Sequence, residues 1–163
     1  MHVVGAQLIT REAFAPFGWL IDASNGLGTA INGGSSQRID ALTELSLGVE
    51  SGKPCLAIFK AKARDPAGPW IELERHCLGT QTFVPLNGVR YLVLVALGDA
   101  KPDASTLQAF TVSGQQAITL RAGIWHHGLL ALSDGDFVVL ERSAEAVDCE
   151  LAELTEPVSI TLT

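Results

Sequence analysis

The feature that most constrains this chain is a succession of short apolar or alternating runs, cut apart by Gly, Pro, Asn, Asp and Ser. The runs are LTELSL, KPCLAIFKAKA, PWIELERHC, TQTFVPL, VRYLVLVALGD, LQAFTVSG, QAITLRAG, DFVVLERS, DCELAEL and VSITLT. Runs of this length, bounded by turn formers, are strands, and about ten of them in one unit predict an all-β sandwich or barrel. Only ITREAFAPFG starts as a helix: Thr10 is placed to cap it, Glu12 lies in its first turn, and Pro16 and Gly18 limit it to a turn or two. At 163 residues the chain is sized for a single domain, residues 1–163. Neither ASNGLG nor NGGSSQ is long enough to link two domains.

Charge narrows the functional classes. Eleven Lys and Arg against eighteen Asp and Glu give a net charge of −7. No basic cluster of the kind that tracks a phosphate backbone is present, so nucleic acid is not an expected partner. Although 47% of the residues are hydrophobic, no apolar run reaches the roughly 18 residues of a membrane span. The N-terminal MHVVGAQLITREAF lacks a basic region followed by an apolar core and a small-residue cleavage site, which predicts a cytoplasmic protein. Cys55, Cys77 and Cys149 are odd in number and far apart, predicting buried or inert thiols rather than disulfides or a thiolate zinc site. The glycine-rich residues 23–37 have neither of the motif contexts that cradle phosphate.

Against this sparing use of charge, WIELERHCLGTQTFVPLNG stands out. Strand alternation puts Trp70, Glu72, Glu74 and His76 on one face and Ile71, Leu73 and Arg75 on the other. An antiparallel strand with its carboxylates in water shows such a face too. The spacing Glu74-x-His76-x4-Gln81-x6-Gly88, however, resembles the first cupin motif, with Glu in place of its first histidine and Gln in place of its glutamate. The second cupin motif needs an inward histidine on a later strand. GQQAITLRAGIWHHG resembles it through Gly114, Gly123 and His126, without its proline. That alignment turns His126 inward and leaves His127 to pack at the barrel mouth or a subunit contact. The resemblance implies a cupin-type antiparallel β-barrel, or jelly roll, with one or two short helices.

LERHCLGTQTFVPLNG, VALGDAKPDASTLQAF and GIWHHGLLAL resemble, more narrowly, the bacterial ureidoglycolate lyase family, from about Ile9 to Cys149. The resemblance implies a homodimer that splits the small molecule (S)-ureidoglycolate into glyoxylate and urea in the allantoin branch of purine breakdown. Two alternatives stay open: another cupin lyase or isomerase acting on a small hydroxy or keto acid, and a non-catalytic cupin that binds such acids.

Ureidoglycolate carries a hydroxyl, a carboxylate and a ureido nitrogen on one carbon, so its cleavage needs a base, an acid and an anion clamp. Glu74, His76 and His126 are the catalytic candidates. Glu74 or His126 takes the hydroxyl proton, and His76 orients the substrate or protonates the departing urea. Glu74, His76, Gln81 and His126 together also offer two nitrogens and two oxygens with one negative charge. Such a set suits a borderline divalent ion rather than a closed structural zinc site, and nickel is the ion favoured by the resemblance. For the substrate carboxylate the candidates are Arg38, with Asn32 near it in INGGSSQRID, and Lys60 in LAIFKAKA; Gln81 is a further substrate-binding candidate. The family often follows this arginine with Tyr-His-Asp, where the present chain has Ile39, Asp40 and Ala41. Arg90, Tyr91 and Trp125 are expected in packing roles.

Overall fold

The computed structural model describes residues 1–24 and 26–163, so Asn25 of the ASNGLG stretch lies outside the described residues. The strands are β1 (His2–Leu8), β2 (Gly18–Ile21), β3 (Thr29–Ile31), β4 (Ser36–Arg38), β5 (Lys53–Ala61), β6 (Trp70–Arg75) and β7 (Gln81–Pro85). They continue with β8 (Tyr91–Ala96), β9 (Gln108–Val112), β10 (Ala117–Leu120), β11 (Trp125–His126), β12 (Leu130–Ala131), β13 (Gly135–Ser143) and β14 (Glu150–Leu162). A short α-helix, α1 (Arg11–Phe14), precedes β2. It starts where the sequence predicts, the Ala13 N–H donating to Thr10 Oγ1 at 3.1 Å.

One sheet runs β11-β6-β14-β1-β9-β8-β12. Because β11 pairs with both β6 and β8, six of these strands close on themselves into a barrel. The second sheet runs β2-β10-β7-β13-β5, while β3 and β4 form a separate hairpin. The pairing is antiparallel except at β1, which lies parallel to both β14 and β9. Parallel neighbours are joined by long connections rather than by hairpin turns, so MHVVGAQL lacks the local signal that marks the other strands.

The strand β8 divides two cores. Tyr91, Val93 and Val95 pack with Phe14, Phe83 and Phe110, whereas Leu92, Leu94 and Ala96 pack with Trp70, Trp125 and Val158. Burial on both faces explains why VRYLVLVAL is apolar without alternation.

Three expectations are corrected. LTELSL forms no strand; Ser46 and Thr80 tie it down, with the Thr80 N–H donating to Ser46 O at 3.1 Å and the Ser46 N–H to Thr80 Oγ1 at 3.0 Å. DCELAEL and VSITLT fuse into β14, whose register against β6 shifts between Glu153 and Val158. That irregularity faces the start of β6, and Trp70 and Leu73 consequently reach the same core although strict alternation separates them. Finally, all three cysteines are free, but Cys77 and Cys149 are exposed rather than buried. Among the described residues no helix is long and apolar enough to cross a membrane.

Candidate active site

The sheet geometry brings the two histidine motifs together. Strand β6 carries Glu74 and leads directly into His76, and β11 sets His126 opposite Glu74 in register. On its other side β11 is held by β8, with Trp125 opposite Ala96. Gly123, at φ 84°, makes the bend before β11, and its N–H donates to His76 O at 2.7 Å. The glycine of one motif thus fixes the backbone of the histidine of the other. His126 is 2% exposed, while Glu74 and His76 are half-buried. Glu74 Oε1 lies 3.5 Å from His126 Nε2 and 3.9 Å from His76 Nε2. One ligand atom from each of the three residues falls within 4.8 Å of the other two.

The second nitrogen of each ring decides what this group can hold. His76 Nδ1 is 2.7 Å from Asp148 O and His126 Nδ1 is 3.0 Å from Ile124 O. A carbonyl only accepts, so Nδ1 carries the proton and the neutral ring keeps a bare lone pair on Nε2. Both Nε2 atoms are buried without a hydrogen-bond partner. Unpaired buried acceptors are costly; two of them beside a carboxylate are the donor set of a divalent cation, with the carbonyl-bound Nδ1–H groups fixing the ring orientation. Glu74, His76 and His126 therefore form a group that can hold a metal. The Glu74 carboxyl is held below its usual range, against the upward push of burial, when the proton sits instead on His126 Nε2 and hydrogen-bonds it. Its second oxygen, Oε2, accepts from the Cys149 thiol at 3.8 Å.

Gln81, 4% exposed, stands at the start of β7 opposite Glu141 of β13. Its Nε2 donates to Glu141 Oε2 at 2.8 Å, and its Oε1 is buried without a partner. Gln81, Glu141, His76 and Asp148 line one small cavity. Asp148 does more than orient His76, since its carboxylate accepts the Cys77 and Leu78 N–H groups, each at 2.8 Å, and so fixes the turn that follows the histidine. Neither Glu141 nor Asp148 was expected at the site. The signal for Glu141 is that it continues the alternation of the buried Phe137 and Val139; Asp148 has no comparable signal.

The remaining candidates lie elsewhere. Asn32, at φ 53°, and Arg38 are exposed on the β3–β4 hairpin, where Arg38 Nε pairs with Asp40 Oδ1 at 2.7 Å. Neither lines the cavity at His76. Lys60 is exposed on β5, on the face it shares with Leu56 and Ile58. The structure thus brings Glu74, His76 and His126 together, sets Gln81 on the wall of a cavity that His76 also lines, and places Asn32, Arg38 and Lys60 in neither group. His127 packs edge-on against Trp70 with ring centroids 4.8 Å apart, and burial pushes its pKa down. Trp125 is 1% exposed, with the Arg75 guanidinium 4.5 Å from its ring, in agreement with a packing role.

A family model described as Ureidoglycolate lyase matches residues 1–161. Ureidoglycolate lyase of Burkholderia mallei (strain NCTC 10229) is 38% identical over 163 residues, covering 99% of this chain and 95% of that protein. The protein of the same name from Azotobacter vinelandii is 36% identical over 151 residues, covering 92% and 91%. That from Pseudomonas fluorescens (strain SBW25) is 37% identical over 152 residues, covering 92% and 90%.

Proposed function

Since this chain belongs to the ureidoglycolate lyase family, we propose that it is a carbon–nitrogen lyase cleaving (S)-ureidoglycolate to glyoxylate and urea. The observation that carries the reading is the meeting of Glu74, His76 and His126, with two unpaired Nε2 atoms beside one carboxylate oxygen.

The reaction moves one proton and breaks one bond. The carbinol O–H is deprotonated, its electrons form the aldehyde C=O of glyoxylate, the C–N bond breaks, and the nitrogen leaving as urea takes a proton. Glu74, His76 and His126, with Gln81 as a fourth donor, would hold a divalent ion, nickel in our reading. Such an ion would bind the substrate hydroxyl and carboxylate together and lower the hydroxyl pKa. Glu74, through the Oε2 oxygen that accepts from the Cys149 thiol, takes the hydroxyl proton and returns it to the urea nitrogen. In a metal-free reaction His126 Nε2 takes this role, with Glu74 stabilising the imidazolium formed. His76, anchored through Nδ1, orients the substrate. Asn32 and Arg38, presented on the exposed hairpin, remain the candidates to meet its carboxylate.

The working assembly in this reading is a homodimer. Its support is the outer face of the second sheet, where Leu56 is 71% and Ile58 55% exposed and Ile58, Val138 and Val84 form a cross-strand row. Apolar side chains gathered on one sheet face are the usual mark of a contact surface. Lys60 and Asp136, opposite each other in register, supply a polar rim. A dimer by light scattering that Ile58→Asp converts to a folded monomer bears this out; a monomeric wild type sinks it.

The activity is tested by measuring urea and glyoxylate release from racemic ureidoglycolate after chelation, and again with nickel, manganese or zinc restored. Stoichiometric products from half the racemate establish a stereoselective lyase. Ammonia in place of urea points to a hydrolase, and no turnover under any metal overturns the proposal in favour of another small hydroxy acid.

A further inference from the structure

A glutamine can bind a cation only through its oxygen, and its amide is nearly symmetric in shape, so something must decide which end faces the cation. The two ends differ entirely in chemistry: Oε1 is an acceptor, whereas the NH₂ group only donates. In this chain the deciding group is Glu141. Its ionised carboxylate accepts and cannot donate, so only the NH₂ end of Gln81 can face it, which is the contact seen at 2.8 Å. Oε1 is thereby turned to the opposite side, where it is buried and unpartnered, as is His76 Nε2 on the wall of the same cavity.

We infer that Glu141 is a positioning residue that locks the Gln81 amide with its oxygen toward the metal position defined by Glu74, His76 and His126. The inference rests on the metal reading given above and adds a residue to it. The alignment of the strands supports the pairing: Glu141 and Gln81 are cross-strand partners in the β13–β7 ladder, so their side chains leave the sheet on the same face. With no acceptor at position 141, the amide is free to turn its NH₂ group toward the cation, where a donor repels rather than binds. Outer-shell groups of this kind commonly contribute about 10- to 100-fold in metal affinity.

The test is nickel affinity, measured by competition with a chromophoric chelator on the purified full chain. Three variants are compared with wild type: Glu141→Leu, Glu141→Gln, and the exchange Gln81→Glu with Glu141→Gln. Circular dichroism and thermal melts confirm that each is folded. Glu141→Leu removes the acceptor and is expected to weaken nickel binding about 10- to 100-fold. Glu141→Gln can donate as well as accept, so it no longer decides which end of the Gln81 amide faces it, and it is expected to weaken nickel binding in the same direction as Glu141→Leu. The exchange puts at position 81 a carboxylate that presents an acceptor whichever way it turns, and it is expected to bind at least as tightly as wild type.

If the exchange binds as weakly as Glu141→Leu, the effect follows the charge lost at position 141 rather than the orientation of the donor at position 81, and the inference falls. If all three variants bind like wild type, Gln81 is not a donor, and the inference falls while the Glu74, His76 and His126 site stands. Wild type that binds neither nickel nor manganese or zinc overturns the metal reading itself, and this inference with it.

Discussion

Glu74 and His126 are cross-strand partners between β6 and β11, with Glu74 Oε1 3.5 Å from His126 Nε2. This one register position joins two motifs that are 52 residues apart in the chain, and no other residue can take the place of either partner without changing the donor set. Glu74→Ala and His126→Ala are each expected to cut turnover of ureidoglycolate by at least about a hundredfold, the range for loss of an acid–base or metal-binding group. Steady-state kinetics on folded variants measure this. A loss of less than tenfold at either position removes that residue from the catalytic group.

Arg38 and Lys60 are distinguished by where the chain puts them. Arg38 sits at the end of β4 in a hairpin independent of both large sheets, whereas Lys60 lies on the outer sheet face beside Ile58. Arg38→Ala is expected to raise KM for ureidoglycolate by about tenfold or more if the hairpin meets the substrate carboxylate, the pattern of lost ground-state binding. Lys60→Ala is expected to leave kcat/KM within about twofold of wild type, as for a surface substitution away from the site. A KM effect at Lys60 as large as that at Arg38 would return Lys60 to the substrate site.

Much of the fold could be read from alternation and turn residues, because antiparallel ladders write both into the sequence. Strands such as TQTFVPL and DFVVLERS were legible for that reason, as were the inward Glu74, His76, Gln81 and His126. β1 was not, since its parallel neighbours β14 and β9 come from distant segments and leave no turn signal beside it. LTELSL misled because its leucines look strand-like, yet Ser46 and Thr80 hold the segment by two hydrogen bonds instead of a ladder. Glu141 was half-legible: its parity with Phe137 and Val139 marks it as inward, but a Glu-Arg pair near a strand end reads first as solvated charge. Asp148 acts through two backbone N–H groups and a carbonyl, contacts that depend on how β14 approaches the turn after β6 and leave no trace in residue spacing.

The glycines of the two motifs have a packing role that can be tested apart from chemistry. A Cβ added at Gly114 would lie 2.0 Å from the backbone carbonyl carbon and oxygen of Gly88, which itself has φ 68°. Backbone at that distance cannot yield as a flexible side chain would. Gly114→Ala is expected to cost about 1–3 kcal/mol, as overpacking does, lowering Tm on the order of 5 °C for a domain of this size. Calorimetry measures it, and an unchanged Tm would show that the two turns are not in contact.

Asp22 predicts an acid-dependent part of the stability. Its Oδ1 accepts from Arg11 Nη2 at 2.5 Å and from the Ser24 backbone N–H at 3.0 Å, and its Oδ2 accepts from Gln116 Nε2 at 3.0 Å. Burial pushes this carboxyl up, but the hydrogen bonds from Ser24 and Gln116 and the charge of Arg11 outweigh it and hold the pKa below the usual value. A carboxyl lowered on folding contributes stability that is complete above its unfolded pKa, about 3.9, and is lost as the pH falls through the folded value. Asp22→Asn removes that contribution and sets an NH₂ donor against either Gln116 or the donors at Oδ1, so it is expected to destabilise by about 1–2 kcal/mol at pH 7. The gap between wild type and variant should hold from about pH 7 to pH 5 and narrow below about pH 4, as wild-type Asp22 itself becomes protonated. Urea denaturation of both proteins at pH 7, 5 and 3.5 measures the gap. A gap that stays constant down to pH 3.5 would mean that the charge on Asp22 does not hold α1 to β2 and β10.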